Sequence, residues 1–244
     1  MIADALLIFI FGLVIGSFLN VIIYRVPRHK SIVTPPSHCA RCGSTLKWYD
    51  NIPVISFMLL KGRCRSCGEP ISAIYPVVEL FTAIIFLVLY LKFSLTLLLI
   101  KYLLFASLLI ALSGIDFYYY ILPDVLAYPL IAIGLIFTFF DHNSLLLLLD
   151  AFGVSLFLFL LGLVVGKSAK KEALGFGDIK LIFAITLFLG IKGAIFTLFV
   201  GSVLGIAASV FIFRQNKIPF GPFLSAAALL SIFFSRAVFA FFLG

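Results

Sequence analysis

Long, nearly uninterrupted apolar runs dominate this chain. They fall near 2–24, 76–91, 93–113, 121–140, 145–166, 179–191, 193–213 and 219–243, and they are built from Leu, Ile, Phe, Val and Ala. Of the 244 residues 64% are hydrophobic and 11% charged, and the mean hydropathy is +1.25. Soluble domains carry about 45–50% apolar and about 25% charged residues, so soluble globular, disordered and fibrous classes are excluded. Continuous runs predict helices, whereas an outer-membrane barrel shows short alternating segments. Spans of about 20 residues each, eight in number, use about 160 residues. The predicted fold is therefore an all-α polytopic membrane protein with about eight transmembrane helices and one small insert between helices 1 and 2. The first run lacks the basic start of a signal peptide and is too long for one, so it reads as a retained span. The runs 76–91 and 179–191 are short, and the boundary near Gly190–Gly193 is indistinct. Pro123 and Pro129 are expected to kink the fourth run or delay its first full turn.

The net charge of +8 reads as topology rather than nucleic-acid binding. Basic residues collect in cytoplasmic loops because they resist translocation. The polar segment 25–75 holds Arg25, Arg28, Lys30, Arg41, Lys47, Lys61, Arg63 and Arg65. Alternating spans add Lys167, Lys170, Lys171, Lys180, Arg214 and Lys217 to the same side, which makes fourteen of the 18 basic residues. The opposite side keeps Lys92 and Lys192, while Lys101 and Arg236 lie within spans. Both termini are thus expected outside and the 25–75 segment in the cytoplasm, in contact with lipid and with no nucleic-acid partner. The chain divides into 1–24, a first span; 25–75, a four-cysteine module; and 76–244, the membrane core.

Cys39-x-x-Cys42-Gly43 and Cys64-x-x-Cys67-Gly68 repeat one pattern with 21 residues between them. Two thiolates on a tight turn bind one metal ion, two such turns complete a tetrahedral site, and each glycine permits the positive φ the turn needs. The spacing is one residue beyond the usual zinc-ribbon range. Cytoplasmic placement disfavours the alternative of two disulfides. Four cysteines close the coordination shell, so the predicted zinc is structural. His38 is a weaker alternative ligand.

Of the ten acidic residues, Glu79, Asp116, Asp124 and Asp178 fall at or inside apolar runs, where an ionisable group is costly and a functional candidate. Asp124, after Leu-Pro, reads as a helix N-cap. Asp178, after Gly175-Phe-Gly177, also has a capping alternative. Asp116 has none. Asp116 ends an inward-running span and Asp178 begins an outward-running one, so both are expected at one membrane face. Two carboxylates held close in a low dielectric share a proton. One then deprotonates water while the other polarises a peptide carbonyl. Gly175 and Gly177 leave room for close approach to Asp178. A buried pair that merely packs helices is the plainer alternative.

Taken together these motifs resemble the type IV prepilin peptidases, which belong to the wider Gly-x-Gly-Asp intramembrane aspartyl proteases. The likeness rests on Gly16-Ser-Phe-Leu-Asn20 through Tyr24-Arg25-Val-Pro27, on the paired cysteine motif with Trp48-Tyr-Asp-Asn51-Ile-Pro53, and on Tyr75-Pro76-Val-Val-Glu79. It extends to Asp116 ahead of Pro123-Asp124 and to Gly175-Phe-Gly177-Asp178-Ile-Lys180. The resemblance implies a catalytic pair, Asp116 and Asp178, with Gly175, Gly177 and Lys180 in the active-site loop. It implies bacterial inner-membrane placement and leader removal from type IV prepilins or type II secretion pseudopilins, after a glycine preceding the mature apolar helix. It also implies N-methylation of the new terminus from S-adenosylmethionine. No Gly-x-Gly-x-x-Gly unit is present, since Lys180 stands where the third glycine would be. Any methyl donor is then expected against the cysteine module and membrane edge. Glu79 is the candidate to hold the substrate amine, with a helix-dipole acid as its alternative. Rival readings are a proton-coupled transporter that uses the intramembrane carboxylates and a zinc-stabilised assembly protein without chemistry.

Overall fold

The computed structural model describes residues 2–141, 143–169, 175–211 and 218–243, with backbone alone described at 168–169, 211 and 236–243. Of the basic residues used above for topology, Lys170, Lys171, Arg214 and Lys217, together with the side chain of Arg236, lie outside the described residues. The described residues form eight α-helices in chain order: α1 (Ile2–Arg25), α2 (Ile55–Leu59), α3 (Ile74–Phe93), α4 (Leu97–Tyr119), α5 (Asp124–Phe139), α6 (Ser144–Ala169), α7 (Phe176–Phe211) and α8 (Gly221–Leu243). Among the described residues the extended pairings are two isolated bridges, His38 with Thr45 and Arg63 with Pro70. Among the described residues five helices are long and apolar enough to cross a membrane: those beginning at Ile2, Ile74, Leu97, Ser144 and Phe176. Two shorter apolar helices begin at Asp124 and Gly221.

The chain forms two compact units, residues 1–107 and 108–244. In the first, α1 packs along α3. Phe11 and Phe86 meet with ring centroids 6.0 Å apart, and Asn20 Nδ2 donates to the Tyr75 carbonyl at 3.0 Å. Lipid is as apolar as leucine, so such helices are held by close van der Waals contact and interhelical hydrogen bonds. The buried Arg25 guanidinium then ties down the chain leaving α1, donating to the carbonyls of Ser31 at 2.9 Å and Pro35 at 2.7 Å.

In the second unit α7 packs against α5, α6 and α8. Leu181, Ile182, Ile185, Leu187 and Leu224 are almost fully buried there. Pro123 is the N-cap of α5 and Pro129 sits inside it. At 36 residues α7 would extend about 54 Å if straight, against a hydrocarbon core of about 30 Å. It is not continuous: Gly190, with φ 70° and ψ −178°, breaks it. This is the indistinct boundary of the sequence, and its dihedrals belong to a region essentially reserved for glycine. Gly190→Ala is expected to cost about 1–3 kcal/mol, read as a lower Tm of the purified protein in detergent.

Candidate active site and metal centre

Asp116 lies in the last turn of α4. The Tyr120 N–H closes that helix on the Asp116 carbonyl at 2.9 Å, and Tyr120, at φ 56°, turns the chain toward α5. Asp116 itself is only 6% exposed. Its Oδ2 accepts a 2.8 Å hydrogen bond from the backbone N–H of Gly221, which opens α8. A buried carboxylate needs such a donor, and the N-terminus of a helix supplies free N–H groups. There is no room for a side chain at this junction: a Cβ at position 221 would stand 2.8 Å from Asp116 Oδ2 and 3.1 Å from Leu122 Cδ2.

Asp178 is the third residue of α7. The Gly175 carbonyl accepts the first helical bond, from the Asp178 N–H at 3.1 Å. The Gly175 N–H in turn donates to the Asp178 carboxylate. That is the acid half of a capping box, so the capping role allowed by the sequence is present. It does not isolate the group, because the Asp116 and Asp178 carboxylates lie near enough for their charges to interact. Gly175 and Gly177 make space in different directions. A Cβ at Gly175 would lie 3.1 Å from Asp178 Oδ2, and one at Gly177 would lie 3.0 Å from Leu122 Cβ.

Two expectations need correction. Asp124 is not an N-cap: it is the first residue inside α5, behind Pro123, and no side-chain cap bond is made there. Its Oδ1 instead accepts from Lys180 Nζ at 2.6 Å, because Lys180 lies one helical turn beyond Phe176 on α7 and reaches the start of α5. The pair is partly exposed and worth about 0–1 kcal/mol. Glu79 is not a first-turn acid favoured by the dipole. It lies in the second turn of α3, buried, with Oε2 accepting the Val54 N–H at 2.7 Å and with a bond to the Ser17 hydroxyl. The carboxylate holds a loop that sequence spacing did not connect to it.

The two cysteine turns fold alike. Cys39 N–H donates to Ser44 O at 2.9 Å and Gly43 N–H to Cys39 O at 3.0 Å; in the second turn Cys64 N–H reaches Glu69 O at 2.8 Å and Gly68 N–H reaches Cys64 O at 2.9 Å. Gly43 and Gly68 have φ of 70° and 72°, the left-handed geometry expected of them. The four Sγ atoms lie within 4.8 Å of one another, with Cys39 and Cys67 at 3.9 Å. Tetrahedral Zn–S bonds of about 2.3 Å separate sulfurs by about 3.8 Å, so the cluster fits a metal of that size. His38 is outside it, its Nδ1 3.1 Å from the Pro36 carbonyl. The Ser44 hydroxyl, 3.0 Å from Cys42 Sγ, leads the interactions that hold that thiol down at about 6. Backbone N–H groups of Cys67 and Ser66 lower Cys64 as well. Both effects favour thiolates, the metal-binding form, whereas Cys67, although the Glu69 N–H favours its thiolate, is pushed up to about 12 by burial and by its three neighbouring thiols.

Gly221 and Val54 escaped the sequence reading. Phe220-Gly221-Pro222 does signal a helix start, but nothing in it points to a carboxylate 105 residues earlier.

These features define a helical membrane protein with paired aspartates at two helix ends and a four-thiol cluster able to hold a metal ion. Residues 10–93 match the Bacterial Peptidase A24 N-terminal domain and residues 103–210 the Type IV leader peptidase family. The chain belongs to that family. A Prepilin leader peptidase/N-methyltransferase of Bacillus subtilis (strain 168) is 33% identical over 246 residues, covering 97% of each chain. One of Myxococcus xanthus (strain DK1622) is 38% identical over 218 residues, 84% of this chain and 62% of the relative's length. A Type 4 prepilin-like proteins leader peptide-processing enzyme of Escherichia coli O78:H11 is 34% identical over 244 residues, 91% of each. No solved structure matches.

The purified protein should contain one tightly held divalent ion per chain, read by elemental analysis. Cys42→Ser with Cys67→Ser should lose it. Acidification should release it from the unmutated protein as protons compete for the thiolates. Metal-free protein with four reactive thiols at neutral pH is the opposite result.

Proposed function

We propose that this protein is an aspartic endopeptidase of the bacterial inner membrane that removes the leader from type IV prepilins or pseudopilins and N-methylates the product. One observation carries the catalytic assignment. Asp116 and Asp178, drawn from two helices far apart in sequence, interact through their charges at helix ends, inside a unit built largely from the segment matched to the Type IV leader peptidase family. Placement at helix ends also separates this reading from a proton relay, whose carboxylates belong near the midplane.

In this reading one carboxylate takes a proton from a water molecule as the water oxygen attacks the scissile carbonyl carbon. The other, protonated, gives its proton to the carbonyl oxygen. Collapse of the tetrahedral species breaks the C–N bond: the first carboxyl group gives the water-derived proton to the leaving amine, and the second carboxylate takes back a proton from the gem-diol hydroxyl as the C=O bond re-forms. The Gly221 N–H, bound to Asp116 Oδ2, orients that side chain and leaves Oδ1 for the reacting groups. Gly175 and Gly177 keep side chains away from the entrance to Asp178, and Lys180 steadies the start of α5 through Asp124. Glu79 retains lone pairs beyond those given to Val54 and Ser17, which suit a substrate amine. The reading places eight spans in the membrane, both termini outside and the 25–75 module in the cytoplasm, with a structural zinc held by Cys39, Cys42, Cys64 and Cys67. Methyl transfer draws on S-adenosylmethionine. The described residues form no βαβ cradle for that donor.

Incubation of the purified protein with a prepilin, followed by mass measurement, tests the reading. A leader-sized mass loss and an added methyl are the expected products. Asp116→Asn and Asp178→Asn should each lower cleavage about 10²–10⁴-fold while the protein remains folded and inserted. Substantial cleavage by either variant removes the dyad. Gly221→Ala should lower kcat about 10²-fold by displacing the Asp116 carboxylate, with KM little changed. Asp124→Asn should be far milder.

A further inference from the structure

We infer that the segment between the two cysteine turns, residues 48–59, is an interfacial anchor that lies in the lipid headgroup region with its apolar face toward the acyl chains. The observation that carries this is a depth marker. Glu79 is the sixth residue of α3, a helix whose 20 residues match the thickness of the hydrocarbon core at 1.5 Å per residue. It therefore sits roughly 7 Å inward from the helix start, and its carboxylate grips the Val54 backbone N–H at 2.7 Å. The loop is drawn down to the level of a membrane-spanning helix. Val54 accepts a φ of 61° there, which a β-branched residue adopts only when its surroundings demand it.

What Val54 begins is equally telling. The short helix α2 places Ile55, Met58 and Leu59 on one face at positions i, i+3 and i+4. They are 52%, 70% and 77% exposed, and Trp48, on the 3-10 turn that packs against α2, is 81% exposed. Four large apolar side chains left bare on a polar loop are costly in water. At a bilayer surface they are favourable, and tryptophan is the residue that headgroup regions select. The charges agree. Lys47, Lys61 and Arg63 flank the segment in sequence and are exposed, whereas Asp50 is engaged by Arg65 at 2.7 Å. Exposed basic residues flanking an apolar segment complement anionic lipid. The occupant is thus the bilayer itself, and the anchor would hold the metal module against the membrane.

The chain contains a single tryptophan, so intrinsic emission reports on Trp48 alone. The intact protein is reconstituted into phosphatidylethanolamine/phosphatidylglycerol vesicles, in which one set of lipids is brominated near the headgroup end of the acyl chain. Trp48 emission should be blue-shifted, strongly quenched by the shallow bromines and protected from aqueous acrylamide. Met58→Asp with Leu59→Asp should reverse all three effects while the bound metal, measured in parallel, is retained. If the metal is lost with them, Leu59→Asp alone and Glu79→Gln, which loosens the Val54 bond, are read in its place. Emission that is red-shifted, unquenched by bromolipid and open to acrylamide overturns the anchor. Shielding that arises only when a prepilin is added also overturns it, because the patch would then be a substrate surface. The readout is independent of cleavage, so it stands or falls separately from the proposed activity.

Discussion

A carboxylate near the end of a membrane-spanning helix has to find its hydrogen-bond donors within the protein, because the hydrocarbon offers none. Much of this molecule is arranged around that constraint. Asp116 is buried and takes the Gly221 N–H. Asp178 takes the Gly175 N–H. In both cases the donor is a backbone amide at a helix N-terminus, where intrahelical partners are missing by construction. The start of α8 therefore does more than begin a helix. It is part of the setting of Asp116, and it requires a residue without a side chain at the point of contact.

The same constraint acts in the first unit with a different outcome. Glu79 is buried on α3 and satisfied by Val54 and Ser17, Asn20 spends its amide on the Tyr75 carbonyl, and Arg25 spends its guanidinium on the carbonyls of Ser31 and Pro35. Each of these side chains lies at or near the polar end of an apolar helix; Glu79 and Arg25 fix stretches of loop, and Asn20 joins α1 to the start of α3. Polar groups that would be expensive if left alone become the fasteners between spans and the segment that connects them.

The cysteine module answers a different shortage. A segment of this length cannot bury enough apolar surface to be stable alone, and small domains of this kind lean on metals or disulfides. The two turns repeat one hydrogen-bond pattern and bring four sulfurs within 4.8 Å. A metal ion taken up there would contribute its binding free energy to the folding of the module, while the apolar side chains stay free to face outward, as Trp48 and Leu59 do.

The sequence by itself determined the elements of local or compositional origin. Apolar runs declare helices through their length and lack of charge, and repeated Cys-x-x-Cys-Gly declares a four-thiol site because spacing and glycine conformation are local properties. Asp116 and Asp178 stood out because charge in an apolar run is anomalous wherever the chain goes. The tertiary structure decided who partners whom. Asp124 reads locally as a cap, yet it is paired with Lys180 from another helix; Glu79 reads as a substrate-amine holder or a dipole acid, and nothing local connects it to the Val54 N–H it holds; Gly221 reads only as a helix start, yet its amide is bound to Asp116. A hydrogen bond between residues 105 apart depends on how helices pack. That packing is set by the sum of many weak contacts, with no local signal in the sequence at either end of the bond.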